Sequence, residues 1–257
     1  MKKIYISADI EGTCGVVDWQ ETDAGNSYSD YFRAQMSNEV AAACRGALAA
    51  GATEIIVKDA HNSARNIYPD RLPKEVKIIR SWSRDPYSMM TGIDESFDAV
   101  MYTGYHNASG TGSNPLAHTM STRFISFKIN GMVASEFHMN SYMAESFGVP
   151  AVMLTGDKGI CDSAKEFNKG ITTVAVSEGR GECSLSLQPQ RACELIEEAA
   201  FKALSTPKEL CRINMPEEFE IEITTRRPFM AYRASFYPGA YLISPDTVGF
   251  KCKDYLD

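Results

Sequence analysis

Residues 3–12 read Lys3-Ile4-Tyr5-Ile6-Ser7-Ala8-Asp9-Ile10-Glu11-Gly12. The run from Lys3 to Ala8 has the length and apolar character of a short buried strand, and it gives way at once to two carboxylates, Asp9 and Glu11. A helical stretch follows from about Ser29 to Ala50, with Phe32, Met36, Val40, Ala43, Ala47 and Leu48 on one face and Gly51 as its C-terminal cap. Three more apolar runs of strand length come next: Glu54 to Lys58, Val76 to Ile79 and Ala99 to Thr103. Strands alternating with helical stretches predict parallel βα units.

Further along, Phe124 to Lys128 and Met132 to Ser135 flank Asn130-Gly131. That dipeptide supplies the two positive φ values of a tight primed turn, so a local antiparallel hairpin is expected there. A helix is expected from Glu136 to Phe147, a buried strand at Ala151 to Leu154, a helix near Asp157 to Asn168 and a strand at Thr172 to Val176. A long helix from about Pro189 to Ala203 precedes a Pro-bearing connector, Ser205 to Glu217, and the alternating stretch Glu220 to Thr224. The fold class is therefore α/β: a mostly parallel sheet flanked by helices, the local hairpin, and a smaller C-terminal α+β portion. The connector divides the chain into residues 1–204, which carry the candidate site, and residues 205–257.

A chain of 257 residues buries roughly three quarters of its extended surface on folding, so its core needs no staple. Cys14, Cys44, Cys161, Cys183, Cys193, Cys211 and Cys252 are odd in number and contain no CxxC pair, which argues for free thiols rather than disulfides or a thiolate zinc site. The 26 Lys and Arg against 33 Asp and Glu leave a net charge of −7, which argues against nucleic-acid and anionic-membrane partners. The apolar run before Asp9 is too short for a signal-peptide core or a membrane span, so a cytoplasmic protein is expected.

Only four histidines occur: His61, His106, His118 and His138. Asp9 and Glu11 follow the first strand, His61 follows the Glu54–Lys58 run, and His106 follows Ala99-Val100-Met101-Tyr102-Thr103-Gly104-Tyr105. Three strands thus each release a possible metal ligand just past their carboxyl ends, the edge where open α/β sheets build their sites. Singly, such residues are ordinary caps and loop polars; jointly, with Gly12 and Gly15 allowing close backbone approach, they point to a shared metal site.

Five local strings, in this order, make the chain similar to the DppA-type D-aminopeptidases, a family of dinuclear zinc metallopeptidases. They are Ser7-Ala8-Asp9-Ile10-Glu11-Gly12, Asp59-Ala60-His61, Gly104-Tyr105-His106, His118-Thr119-Met120, and Ser135-Glu136-Phe137-His138-Met139-Asn140-Ser141-Tyr142. The resemblance implies two Zn²⁺ per subunit, with Asp9 bridging them, Glu11 and His106 on one ion, His61 and Glu136 on the other, and His118 as the catalytic histidine. It also implies a homo-oligomer, a decamer in the characterised type, and a continuation into a further helix beyond Lys253-Asp254-Tyr255-Leu256-Asp257. Ser135 stands where the family has glycine, and Asn107 where it has a small apolar residue. His138 is not a family histidine and reads as structural; Cys14 has no role in the family.

Simple charge counting supports that ligand set. Asp9, Glu11 and Glu136 would bring three negative charges together, which repel unless neutralised. Two Zn²⁺ and one bridging hydroxide carry +3. Mn²⁺ and Co²⁺ are chemically reasonable competitors for such oxygen and imidazole ligands. The expected activity is hydrolysis of short peptides or amides with an N-terminal D-amino acid by a zinc-bound hydroxide, with stereochemistry resting on the resemblance alone. The alternatives are a bimetal hydrolase of another amide or L-peptide, and a non-catalytic, metal-stabilised peptide-binding protein.

Two further features carry less. Gly110-Thr111-Gly112-Ser113 lacks the lysine and the spacing of a phosphate loop and reads as a mobile loop between His106 and His118. Arg226-Arg227-Pro228 with Arg233 is a small basic cluster that reads as a solvated face or a subunit contact.

Overall fold

The chain begins, in a computed structural model that describes residues 2–256, with β1 (Lys2–Ala8), α1 (Ser29–Ala49), β2 (Ala52–Asp59), β3 (Val76–Ile79) and β4 (Ala99–Tyr105). It continues through β5 (Phe124–Ile129), β6 (Met132–Val133), α2 (Glu136–Ser146), β7 (Ala151–Asp157), α3 (Lys158–Phe167), β8 (Thr172–Arg180) and β9 (Cys183–Ser186). The remainder comprises α4 (Pro189–Ser205), β10 (Phe219–Thr225), α5 (Pro228–Ala234), β11 (Tyr241–Ser244) and β12 (Thr247–Cys252).

Seven strands form the larger sheet in the order β3-β2-β1-β4-β7-β8-β9. All are parallel except β9, which turns back along β8 at the edge. The expected parallel βα architecture is therefore present, and the polar edge hairpin β8–β9 is an addition to it. Alternation along each central strand sends neighbours to opposite faces. Ile4, Ile6 and Ala8 of β1 pack with α1 and α4, whereas Tyr5 joins Val100, Tyr102 and Phe137 on the side of α2 and α3. Gly46 of α1 lets the two helices touch closely, since a Cβ there would lie 2.2 Å from the carbonyl oxygen of Glu197.

The winding reverses at β1. The chain runs outward through β2 and β3 and then returns to place β4 on the other side. Connections that leave in opposite directions open a crevice at the carboxyl ends of β1 and β4, where sheets of this kind hold ligands. Ala8 is level with Asp59 on one side and Thr103 on the other. Residues 9, 60 and 104 therefore start from the same edge.

The second sheet is antiparallel, ordered β11-β12-β10-β5-β6. Asn130 (φ +49°) and Gly131 (φ +78°) make the primed turn expected of the hairpin. The hairpin is not an isolated insertion, however: Ile129 pairs with Ile221, and Phe127 with Ile223. The sheet is thus assembled from both sides of the boundary drawn at residue 205. Phe127, Ile129 and Phe219 cover Tyr142 of α2, so this sheet backs the helix that carries Glu136. Among the described residues, no helix is long and apolar enough to cross a membrane.

Candidate metal centre

Two glycines bring the ends of β1 and β4 together. The N–H of Asp9 bonds the Thr103 carbonyl at 2.9 Å and that of Gly12 bonds the Gly104 carbonyl at 2.8 Å. A Cβ on Gly12 would stand 1.7 Å from the Tyr105 oxygen; Gly104, at φ +68°, would place one 2.2 Å from the Asp9 oxygen. Neither position admits another residue without parting the strands.

Asp9, Glu11, His61, His106 and Glu136 are all buried and converge at this edge. His61 Nδ1 is 3.3 Å from Asp9 Oδ1 and 3.0 Å from Glu11 Oε2. His106 Nε2 is 3.5 Å from both Asp9 Oδ2 and Glu136 Oε2. The two oxygens of Asp9 thus face two separate ligand groups, Asp9–Glu11–His61 and Asp9–His106–Glu136. Glu11 and His106, which the resemblance places on one ion, also fall within a common group, with His118. Asp9 keeps its position between the groups because β1 lies between β2, which delivers His61, and β4, which delivers His106.

The donor chemistry fits divalent cations. The His106 Nδ1–H donates to the Asn107 carbonyl at 3.0 Å, leaving Nε2 as a lone pair aimed at two carboxylate oxygens, with no hydrogen bond of its own. Three acceptors facing one another require a shared proton or a metal ion. Separations of 3.0–3.5 Å also match the roughly 3.3 Å edge of a tetrahedron with ~2.0–2.1 Å zinc bonds. For the side chains alone, protons meet the demand. Burial would raise Asp9, but His106 and His61 hold it well below the usual carboxylate range. Burial would lower both histidines, yet Glu136 raises His106 and Glu11 raises His61, each with Asp9, well above 6.5.

His118 is near the same oxygens, its Nε2 3.7 Å from Glu136 Oε1 and 4.0 Å from Glu11 Oε1. Its ring stacks on His106 with centroids 4.3 Å apart and planes 5° from parallel, and Trp19 packs edge-on at 5.2 Å. Nδ1–H donates to the Leu116 carbonyl at 3.0 Å, so Nε2 is the free basic nitrogen. His118 also lies within reach of Glu11 and His106 as a third possible ligand group.

Supporting contacts fix these groups. The Met120 N–H donates to Glu136 Oε1 at 2.7 Å. Ser135 caps α2, and His138 accepts the Ser135 N–H at 3.0 Å through Nδ1, closing a reciprocal box around the first turn where Glu136 sits. Burial lowers His138 to about 4, which keeps it a neutral acceptor, in agreement with a structural role. Asp157, raised by burial, accepts from the Asn107 N–H at 2.8 Å and the Asn114 amide at 3.2 Å, bracing the segments bearing His106 and His118. The Gly110–Ser113 loop is held by Asn107 on Gly112 and by the Gly179 N–H on Ser113 at 2.7 Å. Beneath the loop after Glu11, buried Glu39 of α1 accepts the Cys14 N–H at 3.0 Å; burial raises this carboxyl to about 7.

A cavity of about 330 Å³ opens over the centre, with Trp19, Asp23, Trp82 and Met120 on its walls. Sequence reading missed Trp19, Asp23, Trp82 and Asp157. The edge rule that found His61 and His106 extends to two of them, because Trp82 follows β3 and Asp157 ends β7. Lys58 holds Trp82 in place, its ammonium 4.2 Å from the indole ring and 3.0 Å from the Ser81 carbonyl.

Comparisons with known proteins show the family of the chain and its fold. The sequence profile of the D-aminopeptidase family, peptidase M55, matches residues 1–257. A D-aminopeptidase of Bacillus subtilis (strain 168) is 29% identical over 257 residues, covering 99% of this chain and 93% of the relative. A solved structure from Bacillus subtilis, the Zn-dependent D-aminopeptidase DppA, described as a self-compartmentalizing protease, superposes with a TM-score of 0.93. The identity there is 28%, over 99% of this chain and 93% of that one.

Proposed function

The chain belongs to the D-aminopeptidase family, and on that premise we propose that it is a metal-dependent aminopeptidase that hydrolyses short peptides or amides with an N-terminal D-amino acid. The observation that carries this reading is the Asp9 carboxylate presenting its two oxygens to two groups of buried carboxylate and imidazole ligands. In this reading Asp9, Glu11 and His61 would hold one Zn²⁺, and Asp9, His106 and Glu136 would hold a second. Such a pair supplies an acidified water, with a pKa lowered to about 7, and polarises the scissile carbonyl.

The chain's own groups perform the remaining work. His118 Nε2, bare because Nδ1–H is committed to Leu116, takes a proton from the attacking water and returns it to the departing amine. Stacking on His106 and the edge contact with Trp19 hold its ring in one plane, which keeps that nitrogen aimed at the reacting atoms. The exposed carboxylate of Asp23 at the cavity mouth, with the acids below it, attracts the substrate's free ammonium. Trp19, Trp82 and Met120 form apolar walls for its first side chain. The preference for D-residues rests on family membership. So does the reading of the protein as a homo-oligomer, a decamer; its placement in the cytoplasm rests on the short apolar run before Asp9, and the division into residues 1–204, which carry the centre, and a smaller portion, residues 205–257, on the Pro-bearing connector.

Metal analysis combined with a panel of D- and L-aminoacyl amides tests the proposal. Two equivalents of zinc per chain and faster turnover of the D-series are expected. Zinc-loaded protein that cleaves neither series would point to a peptide-binding protein instead, and preference for the L-series would remove the stereochemical assignment.

A further inference from the structure

A cavity larger than that over the metal centre, of about 1120 Å³, is formed by β10, α5, Val248 of β12 and residues 123 and 124. Arg123, Arg226, Arg227 and Arg233 line it, and no carboxylate does. None of these arginines forms an ion pair among the described residues, in a chain of net charge −7. The metal cavity is the converse: its walls carry Asp9, Glu11, Asp23 and Glu136, and no lysine or arginine.

The two cavities share one stretch of chain in their linings. Met120, Ser121 and Thr122 line the metal cavity, and Arg123 and Phe124 line the larger one. The stretch is fastened to the second sheet, since Arg226 Nε donates to the Thr122 carbonyl at 2.6 Å and the Arg226 N–H to the Arg123 carbonyl at 2.9 Å. The linings of the two cavities therefore follow one another along the chain without a break.

We propose that the arginine-lined cavity is the seat of the substrate's C-terminal carboxylate. Resting on the aminopeptidase reading above, this makes the protein selective for short zwitterionic peptides. The ammonium end is drawn to the acidic cavity and the carboxylate end to guanidinium groups that have no other counter-ion, with Phe229 and Phe236 beside them for the side chains between. Longer peptides carry their carboxylate past this point and lose the contact. The basic cluster read from sequence as a solvated face or subunit contact thus gains a role in specificity.

The test compares D-alanyl-glycyl-glycine with its C-terminal amide on the zinc-loaded protein and on Arg123→Gln and Arg233→Gln variants. Wild type should prefer the free acid by about tenfold in kcat/KM, the order expected of one charge-assisted contact, with the difference carried by KM. Each glutamine variant should bring the ratio close to one at an unchanged thermal midpoint, and Arg233→Lys should restore part of it. Equal efficiency on acid and amide in wild type overturns this inference while leaving the peptidase reading intact. A ratio unmoved in the variants, with a change in sedimentation coefficient, overturns it in favour of a contact with a second copy of the chain. Cleavage of neither substrate removes the peptidase reading and this one together.

Discussion

Replacing Glu39 by glutamine should stabilise the protein at alkaline pH and do little at acid pH. Glu39 is 1% exposed, and Oε1 accepts both the Cys14 N–H and the Gln35 amide, while Oε2 has no hydrogen bond. Burial raises its pKa from 4.5 to about 7. Between those values the unfolded chain has released the proton and the folded chain still holds it, so stability falls as pH rises and levels off above 7. At about 1.4 kcal/mol per pH unit, the loss between pH 5 and pH 8 is roughly 2–3 kcal/mol. Glutamine is isosteric and uncharged, and its amide oxygen can accept the same two bonds. The variant should therefore melt close to wild type at pH 5 and about 5–10 °C higher at pH 8. Thermal melts of both proteins at equal zinc saturation measure this, and the comparison cancels the titration of every other group. A difference in melting temperature that is the same at pH 5 and pH 8 would refute the reasoning.

Three other substitutions probe the centre. His118→Ala should keep the wild-type zinc content by elemental analysis and lose about 10²-fold or more in turnover, since the group lost is a proton carrier. Gly12→Ala should part the ends of β1 and β4, because its Cβ would meet the Tyr105 oxygen at 1.7 Å; zinc bound after dialysis and the melting temperature should both fall. Ser135→Ala should cost about 1 kcal/mol through the lost cap of α2, and zinc titration should show weaker binding as Glu136 loosens.

The parallel sheet was legible because β4 and β7 are buried along their whole length, β1 from Ile4 onward, and β2 carries the apolar run Ile55–Val57; Val76–Ile79 was short but cleanly bounded. Asp9, Glu11, His61 and His106 were legible for a related reason, since each follows closely on a strand, where position along the chain nearly determines position in space; Glu136, in the first turn of α2, came from the family resemblance alone. Which side chains lie against each oxygen of Asp9 is set by sheet order, through the strands on either side of β1, rather than by local sequence. The strands β9 and β11 escaped because they are exposed at sheet edges: the Tyr241–Ser244 stretch has no buried position, and Cys183–Ser186 is largely polar; β12, which lies between β11 and β10, mixes buried and half-buried positions without a clear alternation. Lining side chains such as Trp19 and Asp23 come from loops with no periodicity, so only the folded backbone brings them to the cavity.

The second sheet joins Ile129 to Ile221 across about ninety intervening positions. During synthesis on the ribosome, every proposed zinc ligand has emerged once residue 136 is out. The hairpin beside them must nevertheless wait for β10, with Phe127 and Ile129 unsheltered in the interval. A nascent chain could therefore assemble a metal-ready cluster well before its final third is made, and early capture of the cation would then guide the order in which the rest of the protein condenses.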